Sequence, residues 1–92
     1  MTKKKYERYY EPAGKASFEN WDSIQTSKIC GCYSCEAIFP SSELSIANTV
    51  PDAHGRTVVC PYCETDSVIG DNCGIPILKE VLKELNAYWF EA

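Results

Sequence analysis

Six cysteines are the residues of this 92-residue sequence best suited to chemistry, and four of them form two pairs of equal spacing. Two residues separate Cys32 from Cys35, two separate Cys60 from Cys63, and 24 residues lie between the pairs. Zn²⁺ takes four soft ligands at the corners of a tetrahedron, and each Cys-x2-Cys turn supplies two of them. The spacing therefore predicts one Zn(Cys)4 site at Cys32, Cys35, Cys60 and Cys63.

The second pair also permits a redox interpretation. Cys60-Pro61-Tyr62-Cys63 is identical to the active-site tetrapeptide of glutaredoxins, in which a dithiol exchanges with a disulfide. Such a dithiol needs the start of a helix, whereas "ETDSVIGDNCG" after Cys63 predicts turns around a short strand. The Thr-Val-Pro tripeptide that glutaredoxins carry downstream lies upstream here, at 49–51. A dithiol oxidoreductase is a remote alternative, and we expect no enzyme.

The N-terminal sequence bears on how the cysteines are used. "MTKKKYERYYEPAGK" begins with basic residues but lacks the run of about 7–15 apolar residues of a secretory signal. The chain also lacks the roughly 18 consecutive apolar residues that a membrane span requires. We therefore expect a cytoplasmic protein without a membrane partner. Thiols stay reduced there, which favours metal binding over disulfides.

Three further potential ligands lie outside the pairs: Cys30, Cys73 and the single histidine, His54. They could form a second metal site, or Cys30 could replace a ligand of the first. Three groups without regular spacing do not match a metal motif, and cysteine is often buried as a free thiol. We expect two structural thiols and a solvated histidine in a turn.

Short strands and turns must position the two pairs. "KIC" leads into the first pair, and "RTVVC" and "SVIG" predict strands on either side of the second. "VPDAHGRT" has turn composition, and "AIFPSSELSIA" predicts a strand end followed by a helix capped by Ser41 or Ser42. Ser17 is a candidate cap for a short helix over "FENWDSIQ", with Trp21 and Ile24 on one side.

The most regular helical pattern lies near the C-terminus. In "PILKEVLKELNAYWF", apolar residues recur at helical spacing, namely Leu78, Val81, Leu82, Leu85 and Trp89. Pro76 suits the first turn, and Lys79 and Lys83 are expected on the opposite, solvated face. We expect the aromatic residues at 88–90 to contribute to a small core rather than to an interface.

These elements predict a small α+β, zinc-ribbon-like domain over residues 17–92, with two cysteine turns on short β-hairpins and a C-terminal amphipathic helix. Residues 1–16 are expected to be a flexible or peripheral segment, with a tyrosine-rich docking segment as the alternative. Because a chain of this length buries only about 60–65% of its unfolded surface, a metal would help to stabilise it.

The chain resembles a family of small bacterial cytoplasmic proteins with a zinc-ribbon-like core. The resemblance rests on "CGCYSC", "IFPSSEL", "TVVCPYCETDSVIGD", "GIPI" and "LNAYWF", and it covers Cys30 to Phe90. It implies metal ligation by the same four cysteines. The sequence departs from the family pattern at Glu64, where glycine is usual, at Cys73, where a small residue is usual, and at Ile77-Leu78, where Thr-Pro would begin the helix.

Glu36 and Glu64, which follow the second cysteine of each pair, are expected to adopt a left-handed backbone.

The net charge of the chain distinguishes a protein partner from a nucleic-acid partner. The formal net charge is −4, and four thiolates with one Zn²⁺ add −4 and +2, which lowers it to −6. Nucleic-acid-binding domains usually carry a basic patch, whereas the one lysine run, Lys3-Lys4-Lys5, is followed by Glu7 and Glu11. We therefore expect a non-catalytic zinc-binding module that binds an unidentified protein, with a nucleic-acid-binding zinc ribbon as the alternative.

Overall fold

Short strands separated by turns make up the centre of the protein, which a computed structural model describes over residues 4–90. In chain order the strands are β1 (Ile29–Cys32), β2 (Ile38–Pro40), β3 (Thr49–Asp52), β4 (Gly55–Val58) and β5 (Val68–Gly70). The α-helices are α1 (Tyr10–Ala16), α2 (Trp21–Ile24) and α3 (Lys79–Phe90). Single 3-10 turns lie at Glu7–Tyr9, Ser41–Glu43, Ile46–Asn48 and Asp71–Cys73.

The strands form two small antiparallel sheets. The first has the order β2-β1-β5, with Cys30 of β1 opposite both Phe39 and Gly70. The second is the hairpin β3-β4, which turns at 53–54, as its composition predicts. With the two cysteine turns beside these strands and α3 at the C-terminal end, the predicted α+β, zinc-ribbon-like fold class is confirmed.

Helix α3 packs against β1 through one apolar face. Val81, Leu82 and Leu85 are fully buried, as the periodicity predicts. A Cβ atom on Gly31 would lie 2.9 Å from Leu82 Cδ1, so only glycine allows the helix to approach β1 this closely. α3 has 12 residues, and no helix in the described part of the chain is long and apolar enough to cross a bilayer.

Both ends of α3 differ from the sequence-based expectation. The helix begins at Lys79 rather than near Pro76. The carbonyl of Leu78, the residue before it, accepts a hydrogen bond from the Leu82 N–H at 2.9 Å. The aromatic residues at 88–90, which we expected in the core, are also 37–49% exposed. Tyr88 stacks on Tyr10, with ring centroids 4.3 Å apart, so this end of α3 packs on the N-terminal segment rather than under the sheet.

The N-terminal segment is packed against α3, in contrast to the peripheral segment expected over residues 1–16. Tyr10 and Ala13 of α1 belong to the same buried cluster as Leu82 and Leu85. The Glu84 carboxylate accepts hydrogen bonds from the Tyr6 backbone N–H at 2.8 Å and the Tyr10 hydroxyl at 2.7 Å. Tyr6, Tyr9 and Tyr10 supply apolar area, and Tyr10 also supplies the hydroxyl that bonds to Glu84. These contacts hold the segment in place. Residues 1–3 lie outside the described range.

Two predicted helix caps are wrong in detail. Ser17 ends α1, and Asn20 precedes α2, although Ile24 of α2 is buried as expected. Around Leu44 the chain forms two 3-10 turns rather than one helix, because the Leu44 backbone is extended (φ −92°, ψ 143°). Ser45, rather than Ser41 or Ser42, accepts the capping hydrogen bond.

Candidate metal centre

Four cysteine sulfurs converge where the two sheets meet. The Sγ atoms of Cys32, Cys35, Cys60 and Cys63 all lie within 4.8 Å of one another. The Cys32–Cys63 sulfur distance is 3.6 Å and the Cys35–Cys60 distance is 3.7 Å. A tetrahedral centre with Zn–S bonds of about 2.3 Å has sulfur–sulfur edges of about 3.8 Å. A disulfide bond would require about 2.05 Å. These distances match those of four ligands around one metal ion.

The two cysteine turns have the same backbone conformation. We call residues 32–36 the first knuckle and residues 60–64 the second knuckle. In the first, the Glu36 N–H donates to the Cys32 carbonyl at 2.8 Å, and in the second the Glu64 N–H donates to the Cys60 carbonyl at 2.8 Å. Glu36 and Glu64 both have left-handed backbones, as expected from their positions. Each knuckle therefore presents its two sulfurs from the same type of hydrogen-bonded turn.

Donors surround the two most buried sulfurs. The Ser34 N–H lies 3.4 Å from Cys32 Sγ, and the Tyr62 N–H lies 3.4 Å from Cys60 Sγ. The hydroxyl of Ser67, itself buried, lies 3.1 Å from Cys32 Sγ and can donate to it. Donors placed in this way disperse the negative charge of a thiolate and orient its lone pairs toward a metal.

Burial opposes ionisation of the two innermost thiols, those of Cys32 and Cys60. It raises the pKa of Cys32 and raises the pKa of Cys60 to about 12. Burial also opposes ionisation of Cys63, but hydrogen bonds from Thr65 and from the neighbouring cysteines outweigh it and lower the pKa to about 6. Since a buried thiolate is costly in the absence of a positive charge, a bound cation would favour the thiolate forms of Cys32 and Cys60.

Helix α3 holds the first knuckle through two polar side chains. The Lys79 ammonium donates to the Glu36 carbonyl at 2.8 Å, and the Asn86 side-chain amide donates to the Ser34 carbonyl at 2.8 Å. Lys79 is exposed, as expected, but its contact with the first knuckle was not predicted, and Asn86 carries no sequence signal for this role. Both bonds join residues more than 40 positions apart, which is why sequence patterns do not reveal them.

Asn20 connects the two strands that flank the second knuckle. Its side-chain amide donates to the Val68 carbonyl of β5 at 2.8 Å, and its carbonyl oxygen accepts from the Val58 N–H of β4 at 3.0 Å. β4 and β5 belong to different sheets, so one buried asparagine replaces the backbone pairing between them. The sequence predicts only a short helix over this stretch, capped by Ser17, and no link between strands.

The other candidate ligands lie outside the cluster. Cys30 is buried in β1, where burial raises its pKa to about 12, and Cys73 is exposed after β5. His54 is exposed in the β3-β4 turn. Within residues 4–90, no second group of three or more potential metal ligands meets. The arrangement therefore offers no support for a second metal site.

The glutaredoxin-like tetrapeptide does not begin a helix. Cys60 to Cys63 form a turn between β4 and β5, and Thr49-Val50-Pro51 lies in β3. The six cysteines, all within the described residues, form no disulfide. Comparisons of this chain with protein family models, with curated proteins and with solved structures find no match. Its function is therefore inferred from the chemistry of the residues described above.

Proposed function

We propose that this protein is a non-catalytic module that binds one structural Zn²⁺ through Cys32, Cys35, Cys60 and Cys63, and that it acts by binding another protein. The convergence of four cysteine sulfurs within 4.8 Å carries this proposal. A tetrahedral set of four sulfurs suits zinc or iron among biological metals. Zinc has no redox chemistry and commonly stabilises domains too small for a large core.

A structural role follows from the number of protein ligands. Catalytic zinc sites keep one position open for water or substrate, whereas four cysteines complete a tetrahedron. Cys32 and Cys60 are fully buried, and Cys35 and Cys63 lie nearer the surface. The reducing bacterial cytoplasm that the sequence resemblance implies would keep all four thiols available for the metal.

The dithiol alternative receives less support from the site. In a redox-active Cys-x2-Cys motif the first cysteine is usually the reactive thiolate, at the start of a helix. Here burial raises the pKa of Cys60 to about 12, and a turn rather than a helix follows it. Cys60 would therefore be a poor nucleophile at neutral pH.

Surface charge favours a protein partner over nucleic acid. The formal net charge is already −4, and Lys5, one residue of the lysine run, lies 3.9 Å from the Glu80 carboxylate. Large aromatic side chains, by contrast, are exposed at several places, including Phe18, Tyr62, Trp89 and Phe90. Exposed aromatic residues are frequent anchors of protein–protein interfaces.

Metal analysis of protein expressed under reducing conditions tests the metal assignment. We expect one zinc per chain, with four thiols protected from alkylation until a chelator is added. A Co²⁺ derivative should have the absorption spectrum of tetrahedral thiolate coordination. Cys30→Ala is the matched control and should keep the metal. Metal-free or iron-loaded protein would contradict the assignment.

Affinity capture from the native host tests the choice of partner. The zinc-loaded protein is used as bait, with and without nuclease treatment of the lysate. We expect the same proteins to be retained in both cases. Retention that disappears with nuclease would instead support the nucleic-acid-binding alternative.

A further inference from the structure

A cleft of about 420 Å³ lies between α1, the first knuckle and the end of α3, and it includes none of the four clustered cysteines. Its aromatic walls are Phe18, Tyr33 and Trp89, and two carboxylates, those of Glu11 and Asp66, lie beside them. Phe18 is 54% exposed and Trp89 is 37% exposed. The cleft thus combines accessible ring surface with negative charge.

The protein holds the cleft's main aromatic walls in place. The Trp89 indole N–H donates to the Tyr10 carbonyl at 3.0 Å. The six-membered ring of Trp89 lies close to Gly14. A Cβ atom on residue 14 would be 2.7 Å from Trp89 Cζ2. The Tyr33 hydroxyl is paired with the Ser17 hydroxyl at 2.9 Å in a buried position. Trp89 is the more exposed of these two ordered rings, so a ligand that stacks on it would lose little affinity in arranging it.

No cation of the described residues covers the rings of this cleft. Elsewhere, Lys5 lies 5.5 Å from the centroid of Tyr6 and Arg8 lies 4.7 Å from that of Tyr9. Lys15 lines the cleft, but within residues 4–90 it makes no cation–π contact and no ion pair. Two carboxylates against one ammonium leave the lining with a net negative charge.

We propose that this cleft binds an arginine side chain presented by the partner protein. A guanidinium is planar and weakly hydrated, so it stacks on aromatic faces while donating to carboxylates, which a neutral or anionic side chain does not do. Phe18 and Trp89 supply the faces. Asp66 supplies the acceptor, and Glu11, whose carboxylate accepts a hydrogen bond from the Tyr88 hydroxyl at 2.6 Å, adds negative charge. This inference rests on the proposed function in one respect only, namely that the partner is a protein.

Two-dimensional ¹H–¹⁵N NMR of the full-length, zinc-loaded protein provides the test, because the chain contains two tryptophans. The indole N–H signal of Trp89 reports on the cleft, and that of Trp21 is an internal control. N-acetyl-arginine amide is titrated against its neutral isostere, N-acetyl-citrulline amide. We expect a saturable shift of the Trp89 signal with arginine, weakened by salt, and several-fold weaker binding of citrulline.

Two matched variants identify the charge that matters. Asp66→Asn should weaken arginine binding about two- to fivefold, the range of an exposed ion pair. Asp22→Asn removes the same charge from α2, outside the cleft lining, and should leave the affinity unchanged. Equal losses in both variants would indicate a general effect of net charge and would overturn the site.

Zinc content is measured on the same samples, so that the two proposals can fail separately. A zinc-loaded protein that does not bind the arginine probe overturns the arginine site and leaves the proposed function standing. Equal binding of arginine and citrulline would show an apolar groove and would also overturn the inference. A protein without zinc contradicts the metal assignment, and a saturable Trp89 shift in that protein would still support the cleft.

Discussion

Glu36 and Glu64 occupy equivalent positions in two separate turns, and both have left-handed backbones, with φ of 66° and 62°. Each residue directly follows the second cysteine of its knuckle, and each donates its N–H to the carbonyl of the first cysteine. A residue with a Cβ is strained in this conformation, by roughly 1 kcal/mol or more relative to glycine. The protein tolerates this strain twice at one site.

Glu36→Gly and Glu64→Gly should therefore each increase the free energy of unfolding of the metal-loaded protein, by up to about 1 kcal/mol. Chemical denaturation at constant zinc concentration measures the change. Glu64→Ala is the matched control, because it removes the carboxylate but keeps the strain. If alanine stabilises as much as glycine, the effect comes from charge near the thiolates and not from the backbone.

The two kinds of cysteine should respond differently to substitution. Cys60→Ser removes a sulfur of the cluster and should abolish zinc binding or unfold the protein, because metal binding is coupled to folding. Cys73→Ser changes an exposed side chain outside the cluster and should cost less than about 2 kcal/mol. Zinc analysis and thermal unfolding of both variants check this. If they melt alike, the ligand set is wrong.

Ser67 should slow the loss of the metal through its contact with Cys32. Its hydroxyl is the side-chain oxygen donor 3.1 Å from that sulfur. Residues that hydrogen-bond metal ligands typically change metal affinity by about 10–100-fold when mutated. Ser67→Ala should therefore lose zinc to a competing chelator at least several-fold faster. Ser42→Ala, at an exposed position, is the control and should behave like the parent protein.

Asn20→Ala should be among the most destabilising substitutions outside the cluster. It removes two hydrogen bonds and leaves the Val58 N–H and the Val68 carbonyl without their partner in a buried region. Each such group costs about 1–3 kcal/mol, so a loss of roughly 2–6 kcal/mol is expected for the two. Urea denaturation measures it. Asn72→Ala, at an exposed position, should cost clearly less, and equal losses would show that Asn20 does not bridge β4 and β5.

Zinc-loaded protein should have negligible glutathione-dependent disulfide reductase activity, because coordinated thiolates have their lone pairs committed to the metal. Removing zinc should produce thiol reactivity and loss of structure together. Reductase turnover and circular dichroism are measured on the same samples with and without chelator. A redox site would be identified instead if the folded protein shows turnover, if Cys60→Ser abolishes that turnover, and if Cys32→Ser does not change it.

Several features could be predicted from the sequence because they depend on short segments. A Cys-x2-Cys turn forms within five residues, so the spacing of Cys32 with Cys35, and of Cys60 with Cys63, already specifies both knuckles and the left-handed glutamates after them. The apolar periodicity of α3 likewise predicts its buried face, since helical spacing alone brings Val81, Leu82 and Leu85 together.

Only the tertiary structure decided how these segments support one another. The sequence indicates no connection between Asn20 and the strands β4 and β5, between Lys79 and Glu36, or between Glu84 and the N-terminal tyrosines. Each of these contacts joins residues about 40 or more positions apart. Such pairs become neighbours only once the chain has packed. At Asn20, packing also buries a donor and an acceptor that must find partners inside the protein. The N-terminal segment packs on α3 because Tyr10 and Ala13 bury apolar surface against Leu82 and Leu85, although its local composition predicts a peripheral segment.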